Sequence, residues 1–260
     1  MKTPFRSRLR LSLTLFTACL FAPTLAPTLA PAIAYGQDGA SFAYDLFPET
    51  QQDALRACNV DRGEFHRLMG LSQKAFDQDF EGGWRAVAYQ DGCEDMAGEI
   101  IKAYMLYSAP HAPEQLRILR WHAGQVKAGA GKTQEALALF AGAYNPDPED
   151  GTAWNLYVDA TIGFLNQDKE SIQTAYDTLS GIIVSEETKA SRRKFLVENP
   201  NITMPPGFID EPQNLGVVKT LLECFGRSYS EAYGNCETET ETNETGETET
   251  GEDETKDTDE

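Results

Sequence analysis

The sequence predicts an all-α fold, in which antiparallel helical hairpins stack into a short solenoid with a disordered acidic tail beyond it. Three observations predict this class. Apolar residues recur at helical spacing through most of the 260 residues. No stretch alternates apolar and polar residues for long enough to be a strand. Within residues 116–179 an ordered set of small, aromatic and proline positions, Gly124, Ala136, Phe140, Ala143 and Pro148, is followed by Trp154, where a second set begins. Each position has a physical use. Gly124 and Ala136 let two helix backbones approach closely, Phe140 fills the layer between units, and Pro148 ends a helix.

The two ends read differently from the body. Residues 1–34 combine a basic start (Lys2, Arg6, Arg8, Arg10), an apolar run over residues 11–22 and the small-residue exit Ala32-Ile33-Ala34, the layout of a secretory signal peptide cleaved after Ala34. Pro23, Pro27 and Pro31 break the run, which argues against a retained membrane helix. A lipoprotein alternative at Cys19 has only the poor match Phe16-Thr17-Ala18 before it. Residues 237–260 alternate Thr and Glu, with twelve acidic residues, one lysine and no apolar side chain to bury, so they are expected to be disordered. The tail's default role is solvation, with calcium or a basic partner as alternatives. The body between, residues 35–236, holds seventeen basic and twenty-nine acidic residues, a net charge of −12 that excludes nucleic acid as a partner. It is long enough for one sizeable core and one domain, residues 49–236.

In order, residues 35–48 form an aperiodic lead-in. Helices are expected over 49–58 and 62–69, and from an N-cap at Ser72 through Ala75, Phe76 and Phe80 to a stop at Gly82-Gly83. A turn or two of helix spans 84–89. Asp91 opens a longer helix with Met96, Ala97, Ile100, Ile101, Tyr104 and Met105 on one face. Pro113 opens the next, which shows Leu116, Leu119, Ala123 and Val126 on one side and ends in the turn 129–131. Its partner starts near Thr133 and buries Ala136, Leu137, Phe140 and Ala143. After a loop over 145–151, a helix covers 154–165. Asp168 caps another that turns Ile172, Ala175, Tyr176, Leu179, Ile182 and Ile183 inward. A charged helix over 186–197, a four-proline loop over 199–212, and a last helix through Leu215, Val218, Leu221, Leu222 and Phe225 complete the body.

Four cysteines follow the leader: Cys58, Cys93, Cys224 and Cys236. In an oxidising compartment an even number reads as two disulfides. Three connectivities are open. Cys58 with Cys93 and Cys224 with Cys236 are favoured, the first tying the first helix to the hairpin behind it and the second pinning the last helix to the segment before the tail. Four buried free thiols are the alternative, since no C-x-x-C or Cys/His cluster points to metal or redox work.

The set from Gly124 to Trp154 resembles the tetratricopeptide repeat (TPR), whose thirty-four-residue units are pairs of antiparallel helices. The likeness covers one unit and part of a second. Arg120 stands at the family's tryptophan position with Trp121 one place later, Ala123 and Lys127 replace the usual Leu and Tyr, and the second unit has Tyr157, Val158 and Thr161 after Trp154. The resemblance implies that the first helix of each pair lines a concave surface. That puts Ile118, Trp121, Gln125 and Ala128 on one stripe, and Thr152, Asn155, Asp159 and Ile162 on the next. Trp121, Gln125, Asn155 and Asp159 would then grip an extended peptide, with aromatic area from the first and backbone hydrogen bonds from the other three. The lysines with which some members clamp a carboxy-terminal carboxylate are missing. The alternative is that Trp121 packs between hairpins while Asn155 and Asp159 cap or bridge helices internally.

Enzyme motifs fit poorly. Gly129-Ala130-Gly131-Lys132-Thr133 ends like a phosphate-binding loop, but Val126 stands where the motif needs glycine and a helix precedes it. Ser191-Arg192-Arg193-Lys194 has S-x-x-K spacing without the S-D-N and K-T-G elements of penicillin-recognising enzymes. His66, His111 and His122 are scattered, and the sequence predicts no metal and no cofactor. The enzyme alternative is a cell-envelope peptidoglycan hydrolase or lyase with Glu99, beside the Ile100-Ile101 face, as its general acid; that role needs a raised pKa. A purely structural envelope protein is a third possibility. The preferred expectation is an exported, periplasmic or secreted, module that binds a protein or peptide partner.

Overall fold

A computed structural model describes residues 43–108, 111–147, 151–205, 207–234 and 236. The leader, Cys19, most of the lead-in, Pro148 and the acidic tail lie outside the described residues. Those described hold a helical turn over residues 43–45, no strand, and twelve further helices. They are α1 (Glu49–Ala57), α2 (Arg62–Met69), α3 (Gln73–Asp77), α4 (Arg85–Ala88), α5 (Glu94–Tyr107), α6 (Pro113–Gly129), α7 (Thr133–Ala141), α8 (Thr152–Leu165), α9 (Lys169–Ser180), α10 (Glu186–Glu198), α11 (Leu215–Glu223) and α12 (Tyr229–Tyr233). Among the described residues no helix is long and apolar enough to cross a membrane.

Local chemistry sets the boundaries. Asp61, Ser72, Asp168, Ser185 and Ser228 each accept the backbone N–H three residues on, so five helices start on a side-chain cap. The end of α6 is fixed by Gly131, whose φ of 73° lets the Lys132 N–H return to the Lys127 carbonyl at 2.8 Å. The phosphate-loop look-alike is therefore a helix stop. Two expectations fail at such boundaries. Asp79 Oδ1 takes the N–H groups of Glu81 and Gly82, and Gly83 turns left-handed at φ 55° against the Phe76 carbonyl. That ends α3 at Asp77 and leaves Phe80 exposed. Likewise α9 stops at Ser180, and Ile183, expected inside, is 92% exposed.

Where one core was expected, the buried apolar side chains form two clusters, and α6 belongs to both. Leu119, Ala123 and Val126 join the first, built on α1 to α5; Trp121 and Ala128 join the second, which continues through α7, α8, α9, α11 and α12. In sequence, α6 packs between α5 and α7, α8 pairs with α9, and α11 lies across both α8 and α9. At the α6–α7 contact a Cβ on Gly124 would stand 2.6 Å from the Phe140 ring, so the close approach depends on glycine. Disulfides join Cys58 to Cys93 in the first cluster and Cys224 to Cys236 at the second. By contrast α10 buries no residue; it is held by Arg192 Nη1, which donates to the carbonyls of Phe208 and Glu211 at 2.8 and 2.7 Å.

Candidate functional site

The four residues expected to grip a peptide have other work. Trp121 is 1% exposed, with its ring 4.6 Å from Phe140 and 4.5 Å from Tyr157, centroid to centroid. It offers no free face to a ligand. Gln125 Nε2 donates to the Tyr233 hydroxyl at 3.1 Å, and Asn155 exchanges two hydrogen bonds with the backbone of Asn145, at 2.8 and 3.0 Å. Asp159 Oδ1 accepts the Tyr144 hydroxyl at 2.6 Å. Trp121 thus packs between helices and Asn155 braces the segment that leads into α8. Among the four, Asp159 lines an open cavity.

That cavity lies between α8 and α9 and has a volume of about 420 Å³. From α8 it takes Leu156, Asp159 and Ile162, so half of the expected second stripe, Asp159 and Ile162, does face open space. The opposite wall carries Glu170, Ser171 and Thr174 of α9, with Asp168 at its cap. Gly163 brings the walls together, because a Cβ there would meet Ser171 Cβ at 3.1 Å and the Asp168 carbonyl at 3.2 Å.

The site is acidic by construction. Asp168 accepts both the Ser171 hydroxyl at 2.6 Å and its N–H at 3.1 Å, and these bonds hold its carboxyl below the usual range. Three acidic side chains, Asp159, Asp168 and Glu170, line it, and no lining side chain is cationic. Tyr144 donates to Asp159, and burial first and then that bond push its phenol pKa up, so it remains a donor. Apolar Leu156 and Ile162 with acidic and hydroxyl neighbours suit a chain segment that brings both a methylene surface and a positive charge.

Two polar clusters inside the fold are of another kind. Asp77, fully buried, accepts at Oδ1 from His122 Nδ1 at 2.6 Å and Trp84 Nε1 at 3.0 Å, and its carbonyl accepts from Arg85. Burial works to raise the Asp77 pKa. His122 and Trp84 outweigh it, and the result is about 2. Lys127, 1% exposed, lays its stem over Gly98 and places Nζ 2.5 Å from both Asp95 Oδ1 and Glu99 Oε1, with Glu135 at 3.2 Å.

Glu99 also takes Lys102 at 2.9 Å. Although burial acts to raise its pKa, the bonds from Lys127 and Lys102 bring it below the usual value. A general acid needs the reverse, so the paired Glu99 does not have the raised pKa that role requires. Among the described residues no group of three or more His, Cys, Asp and Glu side chains could hold a metal ion.

Glu170, Ser171 and Thr174 carried no functional expectation. A polar run on α9, directly after the cap at Asp168 and opposite apolar positions of α8, was the only sequence signal for them. The chain matches no family model, no curated protein and no solved structure.

Proposed function

We propose that this chain is an exported helical-repeat protein that captures an extended, positively charged peptide segment of a partner in the groove between α8 and α9. The groove itself carries the proposal: about 420 Å³ of open space with apolar Leu156 and Ile162 among the carboxylates of Asp159, Asp168 and Glu170. A Lys or Arg side chain would lay its stem on the apolar pair and its head among the acids. The net charge of −12 over residues 35–236 would draw such a segment in from a distance.

The pairs α6–α7 and α8–α9 are taken as two repeat-like antiparallel hairpins. The closeness of Gly124 to Phe140 supports the first of these. Export is supported by the leader-like residues 1–34 and by two disulfides, which persist in oxidising compartments. Binding by this groove differs from the arrangement implied by the family resemblance, in that Trp121 and Gln125 serve the interior.

Two fluorescent nonapeptide pools, one enriched in Lys and Arg and one in Asp and Glu, test the proposal by anisotropy on the full chain. The basic pool should bind at physiological salt and the acidic pool should not. Glu170→Lys with Thr174→Arg, both exposed on α9, should weaken the basic pool at least tenfold while the helical CD signal is kept. Residual binding to the acidic tail would be common to both proteins. An affinity within twofold of wild type would refute the groove.

A further inference from the structure

The last helix, α12, has only five residues, too few to be stable alone. It is enclosed by a covalent loop, since Cys224 before it and Cys236 after it form a disulfide across 12 residues. It lies on α6 and α8. Ser230 Oγ donates to the Gly129 carbonyl at 3.0 Å, Gln125 donates to the Tyr233 hydroxyl, and that hydroxyl also meets the Tyr157 hydroxyl. Tyr229 stands edge-on to Phe164. The fit has a flaw: the Tyr229 hydroxyl is buried and makes no well-formed hydrogen bond, since the Gln125 amide that approaches it is given to Tyr233, and this opposes docking. The chain enters α12 through Gly226 at φ 87°, a position that bends freely.

The two disulfides are unequally protected. Cys58 and Cys93 are both buried in the first cluster, whereas Cys236 is only partly buried at the edge of the second. Thiol–disulfide exchange requires in-line access to a sulfur, so a dithiol reaches Cys236 first.

We infer that the Cys224–Cys236 disulfide is a redox latch holding α12 over the face of α6 and α8 formed by Gln125, Tyr157 and Phe164. One thiolate of a dithiol reductant attacks the Cys236 sulfur, forming a mixed disulfide as the S–S bond breaks and Cys224 leaves. The second thiolate then displaces Cys236, so the dithiol departs as its own disulfide and its two protons end on the two cysteine thiols. Freed of its closure, α12 undocks. The amide of Gln125 and the aromatic edges of Tyr157 and Phe164 are then open on a surface separate from the α8–α9 groove, so the latch stands whether or not that groove binds peptide.

The test is hydrogen exchange with differential alkylation on the full, oxidised chain under graded dithiothreitol, alongside Cys224→Ser with Cys236→Ser. At the lowest effective reductant, alkylation should mark Cys224 and Cys236 while Cys58 and Cys93 stay oxidised. The amides of residues 229–233 should then exchange at least tenfold faster, with those of α6 and α8 unchanged, and the double variant should do the same without reductant. Tyr229→Phe, which removes the poorly satisfied hydroxyl, should slow exchange in the oxidised chain. Earlier reduction of Cys58–Cys93, unchanged protection over 229–233, or loss of α6 and α8 protection in step with α12 would each overturn the latch.

Discussion

Asp77→Asn gives the sharpest test of the buried polar cluster. The Asp77 carboxyl falls from an ordinary value of 3.8 to about 2 on folding. A depression of that size corresponds to about 2–3 kcal/mol, since a tenfold change in proton affinity is about 1.4 kcal/mol. The sign follows from the depression: the contribution is fully present above pH 4 and fades as pH falls from about 4 towards 2, where the folded-state carboxyl takes its proton. Asparagine is close in shape, and its Oδ1 can still accept from His122 and Trp84. It loses the charge, however, and its amide would face the Gln78 donor that Oδ2 now accepts at 2.6 Å. Urea unfolding followed by far-UV CD at pH 5 should therefore show Asp77→Asn less stable than wild type by about 2–3 kcal/mol. At pH 2 the two should converge, since a protonated Asp77 and an asparagine are nearly equivalent. A difference that stays constant with pH would refute the electrostatic account and leave only lost packing. No difference at pH 5 would remove the cluster from the determinants of stability.

Other consequences can be checked in the same way. Gly124→Ala should destabilise by about 1–3 kcal/mol because its methyl meets the Phe140 ring, and adding Phe140→Leu should recover part of that in a double-mutant cycle. Glu99→Gln should cost about 1–2 kcal/mol, since Lys127 keeps Asp95 and Glu135 as partners, and it should leave any activity on peptidoglycan no lower than in wild type. Removing Cys58–Cys93, which closes 35 residues, should lower stability by about 3–4 kcal/mol, seen as a fall in the urea midpoint.

Much of the helical framework could be read from the sequence because its signals are local. Ser72 and Asp168 cap helices as expected, Pro113 opens α6, and residues 62–69 form α2. The helix α12 escaped notice although Ser228 and Glu231 form a capping box, because five residues leave no room for a hydrophobic period. Phe80 and Ile183 were misplaced for a related reason. Their spacing continues a helical period that the backbone breaks at Asp79 and at Gly181.

The site was legible on one side only. The resemblance to the repeat family implied a stripe that includes Asp159 and Ile162, and these two line the cavity. Spacing could not show that Gln125 meets Tyr233, 108 residues away, or that Asp77 and His122, 45 apart, would find each other. Partners that distant share no period. Periodicity reports which face of a helix is apolar, while the identity of the neighbour is a property of topology.

The double membership of α6 bears on how this protein comes apart. Melting the amino-terminal helices would strip Leu119, Ala123 and Val126 of cover, and melting the carboxy-terminal ones would do the same to Trp121 and Ala128. Either event leaves half of a seventeen-residue helix with bare apolar surface in water. The two clusters should therefore lose structure together, in one cooperative transition, and a fragment cut within α6 would inherit an unfinished core from either side.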